Sequence, residues 1–308
     1  YEKACVTGGA GFIGTHLVRA LVGRGIEVTV LDDLSLGRRE RVPPEARLLV
    51  GDILDPKAAA EAVRDADIVF HLAARVAIRS SFECVVEDTR TNVVGTAQML
   101  RAAADAGTVR KFIATSTMAV YAVAPDPKPI PESHPTEPIS PYGISKLAAE
   151  RLTHSMARAT GMESAVLRLF NTYGPGQTLT PYVGVVTIFV NKLRAGERPT
   201  VFGDGEQARD FVHVEDVVQG YLRAMDAAVT GETFNIGSGR PMTVNEVLAR
   251  LQAILGTQVE PIRAPAAVGE LRYSIADVSQ ARRLLGYEPK HCFNDTVKSV
   301  VSEILSDS

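Results

Sequence analysis

Apolar positions alternate between two periods along the first half of the chain. Ala4-Cys5-Val6-Thr7 is a short apolar run of strand length. Phe12 to Arg24 follows with Ile13, Leu17 and Leu21 on one helical face. Glu27 to Leu31 predicts a second strand ending at Asp32-Asp33, and Arg47 to Val50 a third. Pro56 to Asp65 is alanine-rich and helical, and Asp67 to Leu72 is a fourth strand. Asn92 to Ala106 predicts a long helix, and Lys111 to Thr115 a fifth strand. Strands that alternate with helices imply crossover units, hence a parallel sheet covered on both faces.

Pro125 to Pro141 holds seven prolines and predicts a loop. Ser140 followed by Pro141 is a helix start signal, and the helix predicted there runs from Tyr142 to about Thr160. Ser164 to Phe170 is a sixth strand. The second half is less regular, with helices expected at Val186–Ala195, Val214–Ala228, Val244–Leu255 and Val278–Leu285. The pattern predicts an α/β fold: a Rossmann-type, doubly wound parallel sheet over residues 1–167, then a smaller α/β lobe over 168–308. Segments near 209–236 are expected to return to the first lobe.

Composition narrows the class. The 308 residues are 45% hydrophobic and 22% charged, with a net charge of −3. That leaves no basic stripe for nucleic acid, and no apolar run reaches the roughly 18 residues of a membrane helix. Cys5, Cys84 and Cys292 are odd in number and lack metal-ligand spacing, so no metal is expected. No signal-peptide pattern precedes the first strand. The expectation is a reducing, cytoplasmic setting.

Two motifs carry chemistry. Gly8-x-x-Gly11-x-x-Gly14 follows a strand and opens a helix. Glycines allow a tight turn and close approach of a pyrophosphate, whose charge the helix N-terminus favours. Asp32 lies 18 residues beyond Gly14, near the spacing at which a carboxylate takes ribose hydroxyls. It would repel a 2′-phosphate, so NAD is expected. Tyr142 and Lys146 sit four residues apart on one helical face. An ammonium beside a phenol lowers its pKa, which makes Tyr142 a candidate general base. Thr115-Ser116-Thr117 closes the fifth strand at the sheet edge where ligands bind in such folds.

With these pieces in place, the chain resembles the extended short-chain dehydrogenase/reductases of the nucleotide-sugar epimerase and dehydratase group. The resemblance spans nearly the whole chain. It includes Gly51-Asp52-Ile53, His71-Leu72-Ala73-Ala74, Arg168-Leu169-Phe170-Asn171, Tyr173-Gly174-Pro175-Gly176, Gly203-Asp204-Gly205, Arg209-Asp210-Phe211 and Phe234-Asn235-Ile236-Gly237. It implies catalysis by Thr117, Tyr142 and Lys146. It implies that NAD is held by Gly8, Gly11, Phe12, Ile13, Gly14, Asp32, Asp33, Ser35, Asp52, Ile53, Leu72, Ala73, Ala74, Asn92, Thr115 and Phe170, besides Tyr142 and Lys146. Asp52 and Ile53 would contact adenine. Thr117, Asn171, Val185, Phe202, Arg209, Glu270 and Ser274 would meet a nucleotide-sugar substrate.

The residues after Thr117 are Met118-Ala119, where dehydratases of the family carry Asp-Glu. Neither side chain can transfer a proton. The departure argues against elimination of water and leaves C4 epimerisation through a 4-keto sugar. Pro181-Tyr182-Val183-Gly184-Val185 and the segment Gly269 to Asp277 are similar to bacterial UDP-hexose 4-epimerases. Ser274 stands where a small residue makes room for an N-acetyl group. Ala267 stands where the family places an arginine for the pyrophosphate, with Arg263 and Arg272 as nearby substitutes. Two rival readings stay open: a dehydrogenase or reductase that releases its cofactor, or a dehydratase, acting on another nucleotide sugar such as a dTDP-hexose; and a dinucleotide-binding module without activity. The resemblance also implies a homodimer through the helices at Asn92–Ala106 and Tyr142–Thr160.

Overall fold

The computed structural model describes residues 1–76, 78, 80–177, 184–266 and 271–306. Pro181 to Val183 and Ala267 to Glu270 lie outside the described residues, so the predicted role of Glu270 has no structural counterpart here.

Seven strands form one parallel sheet. They are β1 (Lys3–Thr7), β2 (Glu27–Asp32), β3 (Arg47–Val50), β4 (Ile68–His71), β5 (Lys111–Thr117), β6 (Glu163–Leu169) and, after four smaller-lobe elements, a returning strand, Glu232–Ile236. The spatial order is β3-β2-β1-β4-β5-β6 and then the returning strand. Every neighbouring pair is parallel. The order reverses between β1 and β4, and a crevice at that point is where open α/β sheets bind ligands.

Helices cover both faces. On one side, α1 (Phe12–Gly23) packs with a later helix, Val214–Asp226. Leu17, Val18 and Leu21 meet Val217 and Tyr221 in this core. On the other side lie α2 (Pro56–Val63), α3 (Val85–Thr89), α4 (Thr96–Ala106) and α5 (Pro141–Thr160). Ala59, Met99, Ala103 and Ala157 fill that core against Val69 and Phe112. Helix starts follow the expected chemistry: Asp55 accepts from Lys57 N–H ahead of Pro56, and Ser140 accepts from Gly143 N–H ahead of Pro141.

Two departures stand out. The long helix begins at Val85 and runs through a π-helical segment, Arg90–Gly95, before α4. The second half holds more order than its sequence pattern suggests. It contains β7 (Asn171–Tyr173), α6 (Val185–Arg194), β8 (Thr200–Phe202), β9 (Ala208–His213), α7 (Val214–Asp226), β10 (Glu232–Ile236, the returning strand), β11 (Pro241–Thr243), α8 (Val244–Leu255), β12 (Ile262–Ala264), β13 (Tyr273–Ser274), α9 (Ser279–Leu285) and α10 (Phe293–Ser306). β9 is the centre of the second sheet, flanked by β11, β13 and β7. A third core forms there from Phe189, Val190, Phe211, Leu251, Phe293 and Val300.

Candidate active site

The glycine loop is built for close approach. Gly8 has φ +70°, and a Cβ there would lie 2.8 Å from the Ala73 nitrogen. A Cβ on Gly14 would lie 2.1 Å from the Gly8 carbonyl oxygen. Only glycine lets the first turn of α1 sit this close to β1. Gly11 caps α1 without any side-chain hydrogen bond, so the backbone N–H groups of that turn are left for a ligand. An anion seated there gains from the helix dipole. Phe12 and Ile13 open this helix.

Asp32 closes the same loop. Its carboxylate accepts from Ala10 N–H and Leu34 N–H, each at 2.9 Å. Burial raises its pKa, and those two N–H groups oppose the rise. Asp33 accepts from both the N–H and the hydroxyl of Ser35. Asp52 accepts from Leu54 N–H, while Ile53 is buried against Gly95 of the π-helical segment. Leu72, Ala73 and Ala74 leave the carboxyl end of β4. Asn92 accepts from Arg75 N–H at 2.9 Å and donates to Ser145 Oγ at 3.0 Å. These residues fit the adenosine and phosphate parts of a dinucleotide.

Thr117 ends β5, and Tyr142 opens α5. The Thr117 hydroxyl interacts with the Tyr142 phenol, and both side chains are buried. A Cβ on Gly143 would lie 2.3 Å from the Ala119 carbonyl oxygen, so the first turn of α5 rests directly on the Met118–Val120 turn. The sequence predicted that Lys146 lowers the Tyr142 pKa. In the free chain the direction is reversed: burial pushes the phenol up to about 12, only partly offset by the Thr117 hydrogen bond. Burial likewise brings the Lys146 ammonium down to about 8, with Glu150 opposing. Desolvation penalises both charged forms.

The serine between the two threonines faces elsewhere. Ser116 donates to Glu150 Oε1 at 2.5 Å, and Glu150 pairs with Arg168 at 2.7 Å. The hydroxyl of Thr115, expected beside the cofactor, is bonded to Tyr221 at 2.5 Å. Phe170 is buried just beyond β6.

A cavity of about 110 Å³ opens beside Thr117. Met118, Ala119, Asn171 and Arg209 line it, with Ile78, Ile139 and Leu271. Asn171 Oδ1 is buried there without a hydrogen-bond partner among the described residues. Val185, Phe202 and Ser274 are not among its walls. Ser274 is fully buried in β13, opposite Arg209 of β9, and Phe202 closes β8. Arg272 is held by both oxygens of Asp204, and Arg263 by the Asp204 carbonyl and Asn245. Neither lines the cavity, which leaves Arg209 as the cation on its described wall. A larger cavity, about 350 Å³, opens between α5 and residues 132–136, lined by Glu150, His154 and Arg168. Glu150 and Arg168 on its wall are paired with each other, and none of the predicted site residues lines it.

One other cluster joins His213, Glu215 and His291, whose ligand atoms lie within 4.8 Å. His213 Nδ1 accepts from Glu215 N–H and caps α7, and the two imidazoles stack at 4.5 Å. That bond spends one His213 nitrogen on the cap.

Ser145, Tyr221, Glu150 and His71 escaped assignment from sequence. Ser145 lies inside the Tyr142–Lys146 motif and His71 inside His71-Leu72-Ala73-Ala74, so both had a local signal.

A parallel sheet reversing at β1 and β4, an uncapped glycine turn and a Thr–Tyr–Lys set beside a cavity define a dinucleotide-dependent enzyme of the short-chain type. Residues 4–237 match the model of the NAD dependent epimerase/dehydratase family, and the chain belongs to that family. A putative UDP-glucose 4-epimerase of Methanocaldococcus jannaschii is 36% identical, over 96% of each chain. The Thermotoga maritima UDP-glucose 4-epimerase solved with UDP-glucose superposes with a TM-score of 0.95 at 38% identity, over 99% of each chain. The Thermus thermophilus UDP-glucose 4-epimerase solved with NAD gives 0.94 at 32% identity, over 99% of this chain and 100% of that one. Among the described residues no helix is long and apolar enough to cross a membrane.

Proposed function

We propose that this chain interconverts UDP-hexoses at C4, UDP-glucose with UDP-galactose and the N-acetyl pair, using NAD that stays bound. The observation that carries this reading is that buried Tyr142 interacts with Thr117, the residue directly before Met118 and Ala119, which wall the cavity. It supports one proton-transfer pair at the sugar, and Met118 and Ala119 on the described wall offer no second acid or base for elimination.

The residues divide the work as follows. Gly8, Gly11 and Gly14 cradle the pyrophosphate of NAD, and Asp32 takes the adenosine ribose, which favours NAD over a 2′-phosphorylated form. Tyr142 accepts the C4 hydroxyl proton and later returns it, while Thr117 shares a hydrogen bond with that oxygen. Lys146 holds the nicotinamide ribose and supplies positive charge beside the phenol. Bound NAD supplies the hydride acceptor and a positive ring, which adds to Lys146 against the burial penalty on Tyr142. Asn171 and Arg209 hold the diphosphate and nucleotide, so the 4-keto sugar can turn while its anchor stays in place. Glu270, Val185, Phe202 and Ser274 keep their proposed places around the nucleotide and sugar.

The division into lobes at 167 and 168 is part of the same reading, with α7 and β10 returning to the first. A homodimer through α4 and α5 is supported by exposed Ile144 on α5 and by exposed Val86 and Val94 on α3 and the π-helical segment that lead into α4. Three free thiols, at Cys5, Cys84 and Cys292, support a reducing, cytoplasmic setting.

The test is purified protein with UDP-glucose, UDP-galactose and the N-acetyl forms, without added NAD or reductant, followed by NMR at C4. Interconversion is expected. Turnover only with external NADH would identify a reductase instead.

A further inference from the structure

His71 ends β4, fully buried, and the reaction above makes no use of it. Both ring nitrogens are engaged: Nδ1 with Thr7 Oγ1 at 2.8 Å and Nε2 with Thr96 Oγ1 at 3.0 Å. The direction of each proton follows from counting donors. Thr7 Oγ1 accepts from the N–H groups of Leu72 and Ala73, at 3.2 and 3.1 Å. Its lone pairs are thereby spent, and its own hydrogen goes to Nδ1. Nδ1 is then the bare nitrogen, and Nε2–H donates to Thr96. Thr96 donates onward to the Asn92 carbonyl at 2.6 Å. The Asn92 amide donates to Ser145 Oγ, which donates to the Tyr142 carbonyl at 2.8 Å.

Five hydrogen bonds therefore run in one consistent sense. They start at the residue before Gly8 and end in the first turn of the catalytic helix. We propose that His71 is a positioning residue: locked as the neutral Nε2–H form, it ties the glycine loop to Asn92 and through Ser145 to Tyr142. The role rests on the epimerase reading for its kinetic part only. The π-helical segment fits this role. It holds Asn92, with Thr96 one residue beyond it, so the carbonyl and amide of one asparagine serve both neighbours in the chain. Burial, with a smaller push from the Lys146 ammonium, brings the His71 pKa down to about 3. Neutrality matters here. A second cation in this place would reverse the Nδ1 bond and compete with Lys146.

The test joins spectroscopy to kinetics on the NAD-loaded enzyme. Nitrogen NMR of histidine-labelled protein should show one imidazole with bare Nδ1 and protonated Nε2, unchanged from about pH 5 to about pH 9. His71→Phe should lower kcat about 10- to 100-fold with KM for UDP-glucose within about three-fold. Thr96→Val, which keeps shape and removes the hydroxyl, should lower kcat about three- to ten-fold. The double variant should be no slower than His71→Phe, because both cut one chain. An imidazolium or Nδ1–H signal at this residue overturns the proposal, as does full kcat in folded His71→Phe or additive losses in the double variant. If His71→Phe fails to fold, Thr96→Val and the NMR signal decide. If the wild type turns over no UDP-hexose, the epimerase reading fails alone. The NMR signal and the faster loss of NAD expected from Thr96→Val then decide this one.

Discussion

The two ends of the site are built on opposite terms. At the cofactor end, Asp88 Oδ2 apart, the polar groups arrive already paired. Asp32 receives two N–H groups, Asn92 three partners, and His71 one at each nitrogen. At the substrate end, Asn171 Oδ1, Gln207 Oε1 and Ser274 Oγ are buried without partners among the described residues. An unpaired buried acceptor costs about 1–3 kcal/mol. The first end is preorganised around a molecule that stays. The second keeps unmet hydrogen-bonding capacity, at Asn171 on the cavity wall itself.

The largest expected effect tests the boundary between these ends. Tyr142→Phe removes the one group that both must reach, and kcat should fall about 1,000-fold while NAD stays bound. Measuring retained NAD beside the rate separates the two. Loss of NAD would mean that the phenol is part of the cofactor frame rather than the shared chemistry.

A smaller effect sharpens the contrast itself. Asn171→Ala should raise KM for UDP-glucose about ten-fold and leave kcat within about three-fold. It should also leave the thermal stability of the free protein equal or higher, because it deletes an unpaired acceptor. Asn92→Ala should destabilise the protein, since it breaks bonds that exist before any ligand binds. Thermal unfolding of both variants breaks the comparison if Asn171→Ala is the less stable one.

The smallest effect is in pH dependence. His71 is neutral in the folded chain down to about pH 3, while an unfolded histidine takes up a proton near pH 6.5. Between those values the unfolded state binds more protons, so stability falls as pH falls. His71→Phe should flatten the acid-side slope of a denaturation series by one proton. An unchanged slope would place a charge on that ring.

Most of the main sheet was readable because strands buried on both faces are continuous apolar runs, as in Ile68 to His71 and Phe112 to Ala114. The small strands of the second lobe are two to six residues long, and most are too short for any period to register. The helix Phe293–Ser306 was readable and was missed: Phe293, Val297, Val300 and Val301 lie on one face. The π-helical segment leaves no mark on spacing, because Asn92 within it is held by Arg75 and Ser145, both distant in sequence. Thr117, Tyr142 and Lys146 were visible as a motif. The rise in the Tyr142 pKa was not, since desolvation depends on what covers the ring.

The bond from Ser116 to Glu150, and from Glu150 to Arg168, has a mechanical consequence. Tyr142, Lys146 and Glu150 follow at four-residue steps along α5. Ser140 grips the helix at its start, and the ion pair grips it two turns below the phenol, in the interior. A rod clamped at two points along one stripe cannot roll about its own axis. Rolling is the motion that would swing the phenol past the sugar C4, and a displacement of about 1 Å at a reacting centre costs on the order of 100-fold. The electrostatic pair thus sets the azimuth of the catalytic stripe from two turns away.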